Sequence, residues 1–421
     1  MALALVVAAC SSDTTTDTEG GTSDDDTATA EPYTFNYTSF FWEGPEGPWL
    51  QDRVAEFEAA YPHITVNDTY ITGGDYENQI LTQMAGGSAP DLFTPFTNML
   101  APLLADGLLA PLDACFEGTD IMDRILPSVS AAQRDGVTYG VPATMSPQSL
   151  IYNQQLLDAA GVEVPTTPEE LLEASRAVKE KTGKFGYAFT TDTATAIFPY
   201  IVSMQWVLGY DSDWSQPDGT ITANAPKTIE AVETLMQFYD EDLTPRGLDA
   251  PSTRALFAEG EVAFLIDGPW VLAQIKADVP DLYPSIGFAV SPTPTHAAIT
   301  GGAFYAIPVD APNYDDACEL LKLHLGQDVQ KLWLEDLVSI PAVKVLPGDE
   351  FLAENPWVET MVEVAAEYPG GFGYAPPGYE VDAAAFRQIV VNNLSTVLAG
   401  DTSVEDALNQ AQEDLEAEFG G

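Results

Sequence analysis

The stretch Phe257–Trp270, FAEGEVAFLIDGPW, decides the fold. Val262 to Ile266 is an unbroken apolar run of five residues, the pattern of a strand buried on both faces, as in a parallel sheet. Asp267, Gly268 and Pro269 then stop the strand abruptly. Gly268 permits a tight turn, and Pro269 presets φ for the first turn of a following helix. Trp270 is left at the C-terminal edge of the sheet, where open α/β folds bind ligands. Its indole offers a flat apolar face suited to the C–H face of a sugar ring, and Asp267 beside it can accept hydroxyl hydrogen bonds. A Trp in this position also packs into cores, so both roles stay open on this stretch alone.

Composition sets the outer bounds. A chain of 421 residues with 46% apolar and 10% aromatic content can bury a large core and divides into about two domains. The 65 acidic residues against 15 basic ones leave a net charge of -50. Nucleic acid is excluded as a partner, because phosphate binding needs clustered Lys and Arg. An anionic ligand held by bulk electrostatics is excluded for the same reason. So acidic a surface suits high salt or exposure outside the cell, and a merely solvated surface accounts for it equally well.

Catalytic signals are sparse. His63, His296 and His324 are scattered without metal-ligand spacing, and neither a G-x-S-x-G elbow nor a P-loop occurs. No metal and no cofactor are expected. Paired aspartates are a weak glycosidase signal in this composition, because the chemistry needs a defined separation across a cleft.

The N-terminus reads as an address. Ala2 to Ala9 is a short apolar run, and Val7-Ala8-Ala9-Cys10 followed by Ser11-Ser12 looks like a bacterial lipobox, with Cys10 as the lipidated residue. No Lys or Arg precedes that run, as a secretory n-region requires, so residues 1–9 read as a truncated lipoprotein signal. Residues 10–31 are mostly Ser, Thr, Asp, Glu, Gly and Ala, a composition that forms no core and serves as a tether. No apolar run reaches the length of a membrane-spanning helix, so the membrane is expected to be met through the lipid alone.

With these residues in view, F-x-x-G-x-x-A-x-x-x-x-G-P-W resembles the central signature of the family-1 extracellular solute-binding proteins, the maltose-binding-protein-like receptors of ABC importers. The resemblance extends from about Tyr33 to Phe419. Its blocks include GGSAPDLFTPF with the GLLAPLD turn, Gly301-Gly302-Ala303-Phe304-Tyr305-Ala306-Ile307, a helical pair with Gln330 and Trp333 in place, and GDTSVEDAL from Gly400. It implies an α/β periplasmic-binding-protein type II fold of two domains, joined by a three-crossing hinge with the ligand cleft between them. The crossings are expected at Thr144 to Gln148, around the SPTPT segment after Val290, and at Ser339 to Ala342. The N-terminal domain would comprise 32–143 and 292–340, and the C-terminal domain 144–291 and 341–421.

The resemblance also places cleft residues. Trp270 and Asp267 are joined by Trp42 and Glu43 after the first strand, Phe96 and Asn98 after the P-D-L-F segment, and Ser146 at the first crossing. Gly301 and Gly302, Trp206, and Tyr374, Tyr379 and Arg387 complete the set. Packing roles are the alternative for Trp42, Trp206 and the glycines. The implied function is an extracytoplasmic, lipid-anchored and monomeric receptor, at the cell surface or in the periplasm, that captures a neutral carbohydrate by hinge closure and delivers it to ABC permease subunits. Two other readings stay open. A polyamine receptor would aim Glu43, Asp267 and Asp382 into the cleft, and a glycoside hydrolase would turn its sugar over. With Cys10 assigned to lipid, Cys115 and Cys318 remain as an even pair. The three-crossing arrangement puts both in the N-terminal domain, and a disulfide and two buried free thiols are both open.

Overall fold

Neighbouring residues on short strands face opposite ways, and here each direction leads into a different core. Leu92 and Tyr305 join one apolar cluster, whereas Phe93, Phe304 and Ala306 join a second on the other face. Leu150 and Ile151 divide in the same manner between two further clusters. The molecule, seen in a computed structural model, is thus two sheets, each covered on both faces. The structure describes residues 31–43, 46–72, 75–337, 339–368, 370–371 and 375–420.

The N-terminal lobe is built on β1 (Tyr33–Ser39), β2 (Ile64–Tyr70) and β3 (Leu92–Phe93), ordered β2-β1-β3 and parallel. The helix Glu46–Ala60 connects the first two strands. A small hairpin, β4 (Gln133–Arg134) and β5 (Val137–Thr138), leads to the interlobe strands. These begin with β6 (Val141–Pro147), followed across Gln148 by β7 (Ser149–Asn153). The C-terminal lobe adds β8 (Phe185–Tyr187), β9 (Val262–Asp267) and β10 (Ile286–Ala289), in the order β10-β7-β9-β8. The chain then returns in β11 (Thr300–Tyr305), antiparallel to β6. Isolated bridges from Phe93 to Ala306 and from Phe96 to Ala303 attach β11 to the N-lobe sheet.

β9 lies where its apolar run predicts, but the sheet around it is mixed. It is parallel to β8 and antiparallel to β7. Burial on both faces produces an unbroken apolar run whatever the neighbour's direction, so the run could not specify a parallel sheet.

Three passes between the lobes are each pinned by hydrogen bonds. The Gln148 N–H donates to the Ile299 carbonyl at 2.8 Å, tying the first pass to the second. The buried Gln205 amide brackets the second pass, donating to the Ala297 carbonyl at 2.6 Å and accepting from the Ile299 N–H at 3.0 Å. The third pass docks on β6, where the Thr144 hydroxyl donates to the Ile340 carbonyl at 3.0 Å. Gln330 accepts from the Ala342 N–H at 2.6 Å at the end of that pass.

Side chains cap helices at their N-termini. Thr167 caps the helix Pro168–Thr182 by accepting from the Glu170 N–H, and Ser403 caps Val404–Phe419. The Glu170 carboxylate reaches back to Thr166 rather than to the cap residue itself. Cys115 and Cys318 are joined by a disulfide, their Cα atoms 5.1 Å apart across 203 residues of sequence. It ties the 3-10 turn Asp113–Phe116 to the helix Tyr314–His324 inside the N-lobe core.

Candidate functional site

Trp270 is the first residue of the helix that follows β9, with Pro269 in helical conformation as its cap. Its indole N–H donates to Asp267 Oδ1 at 2.8 Å. That carboxylate is held in turn by Arg254, with Nε to Oδ2 at 2.7 Å and Nη2 to Oδ1 at 3.1 Å, and by the Gly268 N–H at 2.8 Å. Asp267 Oδ1 therefore accepts three hydrogen bonds inside the protein and Oδ2 one, from Arg254 Nε. The carboxylate orients the indole and pairs with Arg254. Gly268 is explained differently. Its φ lies outside the left-handed region, but a Cβ there would overlap the six-membered ring of Trp270. The glycine is required because the indole folds back over it. Trp270 remains half-buried at the edge of a recess of about 60 Å3, lined also by Gln148, Phe198, Thr253, Arg254 and Asp267.

Elsewhere, β6 and β11 bring three expected residues together. Ser146 pairs with Gly301, Gly302 follows in register, and the Thr97 hydroxyl donates to the Gly302 carbonyl at 3.3 Å. The Ser146 hydroxyl is buried without a hydrogen-bond partner. Phe96 is half-buried and stacks on Phe40, ring centroids 4.1 Å apart and 20° from parallel. Asn98 donates from Nδ2 to Glu77 Oε2 at 2.8 Å, and Arg387 Nη2 donates to the same oxygen at 3.3 Å. Asn98 and Arg387, widely separated in sequence, thus converge on one carboxylate.

The electrostatics of this wall follow from burial. Desolvation lowers the Arg387 pKa, while Glu77 and Tyr200 favour its charged form. Asp213 is pushed up to about 7 by burial, against the opposing N–H groups of Trp214 and Ser215. Tyr200 is raised well above the usual phenol range, again chiefly by burial, and its hydroxyl has no hydrogen-bond partner.

Several expected contacts lie elsewhere. Trp42 is buried in the N-lobe core, edge-on to Tyr37, with its N–H donated to the Tyr37 carbonyl at 3.1 Å. Trp206 is fully buried in the C-lobe core, and its N–H donates to the Tyr187 hydroxyl at 3.2 Å. Both indoles pack rather than face ligand, because both their apolar faces and their N–H groups are already engaged. Glu43 is exposed on the loop beyond Trp42. Tyr379 packs against Phe386 and Phe419 and donates to the Gly219 carbonyl at 2.5 Å, a role within the C lobe. Tyr374 and Cys10 lie outside the described residues.

Sequence reading missed Glu77, Arg254, Tyr200 and Asp213. Glu77 is one of 65 acidic residues, and nothing local marks it out. Arg254 carried a usable signal, since a base is scarce in this chain and this one precedes Phe257 by about one helical turn.

Known proteins share this sequence pattern and fold. The family model described as bacterial extracellular solute-binding protein matches residues 52–360. An arabinooligosaccharide-binding protein of Halalkalibacterium halodurans is 24% identical over 413 residues, covering 90% of this chain and 88% of the relative. A galactooligosaccharide-binding protein of Bacillus subtilis is 23% identical over 391 residues, covering 88% and 87%. Among solved structures, the GacH receptor of Streptomyces glaucescens, determined unliganded and with acarbose, matches with a TM-score of 0.78 at 22% identity, over 92% of this chain and 98% of that one. The family match spans well over half of the sequence, and the fold is that of the maltose-binding-like receptors, so the chain belongs to the bacterial extracellular solute-binding proteins.

Proposed function

We propose that this protein is an extracytoplasmic receptor that captures a neutral carbohydrate, a mono- or oligosaccharide, and hands it to the permease of an ABC importer. Trp270 carries the proposal. A half-exposed indole, fixed by Asp267 at the C-terminal edge of β9, presents a rigid apolar face beside the polar groups of Gln148 and Arg254. That combination matches a sugar ring, apolar on its C–H face and polar at its rim. The relatives bind arabino- and galactooligosaccharides by name, which supports the same ligand class.

The receptor works as a monomer, with lobes of 32–143 plus 292–340 and 144–291 plus 341–421 rotating about the three passes. Cys10 supplies the lipid anchor. No helix among the described residues is long and apolar enough to cross a membrane. The polyamine reading is weakened at one of its carboxylates, because Asp267 is paired with Arg254. A hydrolase reading draws no support from a family of binding proteins.

A thermal-shift screen against sugars, polyols and polyamines tests the ligand class. A sugar at 100 times its Kd should stabilise the fold by about 2.7 kcal/mol. A melting temperature raised by a polyamine and by no sugar would overturn the proposal.

A further inference from the structure

The N-lobe core contains an imidazole. His324 ends the helix Tyr314–His324, is fully buried, and among the described residues neither ring nitrogen has a hydrogen-bond partner. Aromatic rings pack against it instead. Tyr305 from β11 stacks on it with centroids 5.1 Å apart and planes 9° from parallel. Trp49 from the helix Glu46–Ala60 lies 6.1 Å away at 23°, and Tyr37 from β1 is tilted at 6.0 Å. Trp333, from the helix Gln327–Leu337, meets Trp49 edge-on at 4.8 Å. A neutral imidazole packs well in such surroundings. An imidazolium would find no acceptor for its two N–H groups.

The same residue is tied to the segments that pass between the lobes. The His324 carbonyl accepts from Gln330 Nε2 at 2.8 Å, and Gln330 in turn accepts from the Ala342 N–H of the third pass at 2.6 Å. Tyr305, stacked on the ring, is the last residue of β11, which continues the second pass. We infer that His324 is an acid-sensitive lock on the N lobe, holding two of the three interlobe passes in place only while its imidazole is neutral.

The charges around the ring offer an imidazolium no balance. Burial first and the Arg53 guanidinium second lower the His324 pKa to about 3. Arg53 lies over the Trp49 ring at 5.2 Å and pairs with Glu56, while Lys322 on the histidine's own helix pairs with Glu319. Glu46, which acts on Tyr305 from the same helix as Trp49, is pushed up to about 7 by burial, so acid neutralises it as well. Tyr37 and Tyr305 are raised by burial and stay neutral. The sign follows. A histidine of ordinary pKa, about 6.5, takes up a proton in the unfolded chain but not in this fold, so its contribution is complete above that value and is lost as pH falls below it. Buried Glu46 and Asp213 act in the opposite direction, since each holds its proton more tightly in the folded chain. Comparison with a variant isolates the histidine.

Denaturant unfolding of the full chain between about pH 7.5 and pH 5, for the wild type and His324→Gln, tests the lock. Well below pH 6.5 the folding equilibrium constant of the wild type should fall about tenfold per pH unit relative to that of the variant, whatever their difference at pH 7.5. A ratio that stays constant or rises on acidification would overturn the proposal. Hydrogen exchange, corrected for intrinsic rates, locates the effect. Amides of β11 and of Gln327–Leu337 should lose protection as pH falls in the wild type and not in the variant; equal loss in both proteins, or loss confined to the C lobe, would also overturn it. Should His324→Gln fail to fold, His324→Phe keeps an aromatic ring in the stack and serves for the same comparison. No sugar enters the experiment, so its result is independent of which ligand the receptor takes.

Discussion

The Gly268–Trp270 contact shows how one missing side chain can set the orientation of an indole. The indole rests over the glycine and is tied to Asp267, so its plane is fixed before any ligand arrives. Gly268→Ala puts a methyl group into the space of the indole, which can yield only by giving up the bond to Asp267. Gly268→Ala and Trp270→Ala should therefore each weaken sugar binding by roughly 1–3 kcal/mol, the scale of a large aromatic contact. Each should melt near the wild-type temperature, which calorimetric titration beside a melting curve will check. Full affinity in Gly268→Ala would show that the orientation of the indole is unimportant. The position of Trp270 was legible from the strand-stopping residues before it. The function of Asp267 was not, because it depends on Arg254 in the preceding helix, and only the tertiary fold brings those two together.

At the scale of elements, local signals located strands and helices well and their surroundings poorly. The apolar run of β9 is written in adjacent residues, and the structure forms that strand as expected; the Thr167 and Ser403 caps are equally local. Aromatic identity, by contrast, says nothing about direction. Trp42 and Trp206 read as cleft residues and are core, since an indole satisfies its N–H as readily on an internal carbonyl or hydroxyl as on a ligand. The disulfide belongs to this scale, because it staples the Asp113–Phe116 turn to the helix Tyr314–His324. Losing a native disulfide typically costs about 2–5 kcal/mol, and the chain-entropy model puts so long a loop at the upper end of that range. Reduction should lower the melting temperature, and Cys115 and Cys318 should resist alkylation in unfolded, unreduced protein. Alkylation of both under those conditions would show that the bridge is absent.

For the whole molecule, composition and periodicity lead only to about two α/β domains, and the interlobe passes come from the resemblance of ordered blocks to one family. Their physical basis becomes visible in the structure, where buried Gln205, Thr144 and Gln330 hydrogen-bond the passing strands. Such pinning confines motion to a hinge, through which closure of the two lobes can signal an occupied site. The Glu77–Arg387 pair lay beyond sequence reading because a contact across a cleft leaves no periodic trace. The claim on which the account rests is capture of an unchanged sugar at one interlobe site. Isothermal titration of the sugar chosen by the thermal screen, with the sugar recovered afterwards and analysed, tests this most directly. The account predicts saturable binding of one sugar per chain and recovery of the sugar intact; cleaved sugar, or no saturable heat, would contradict it.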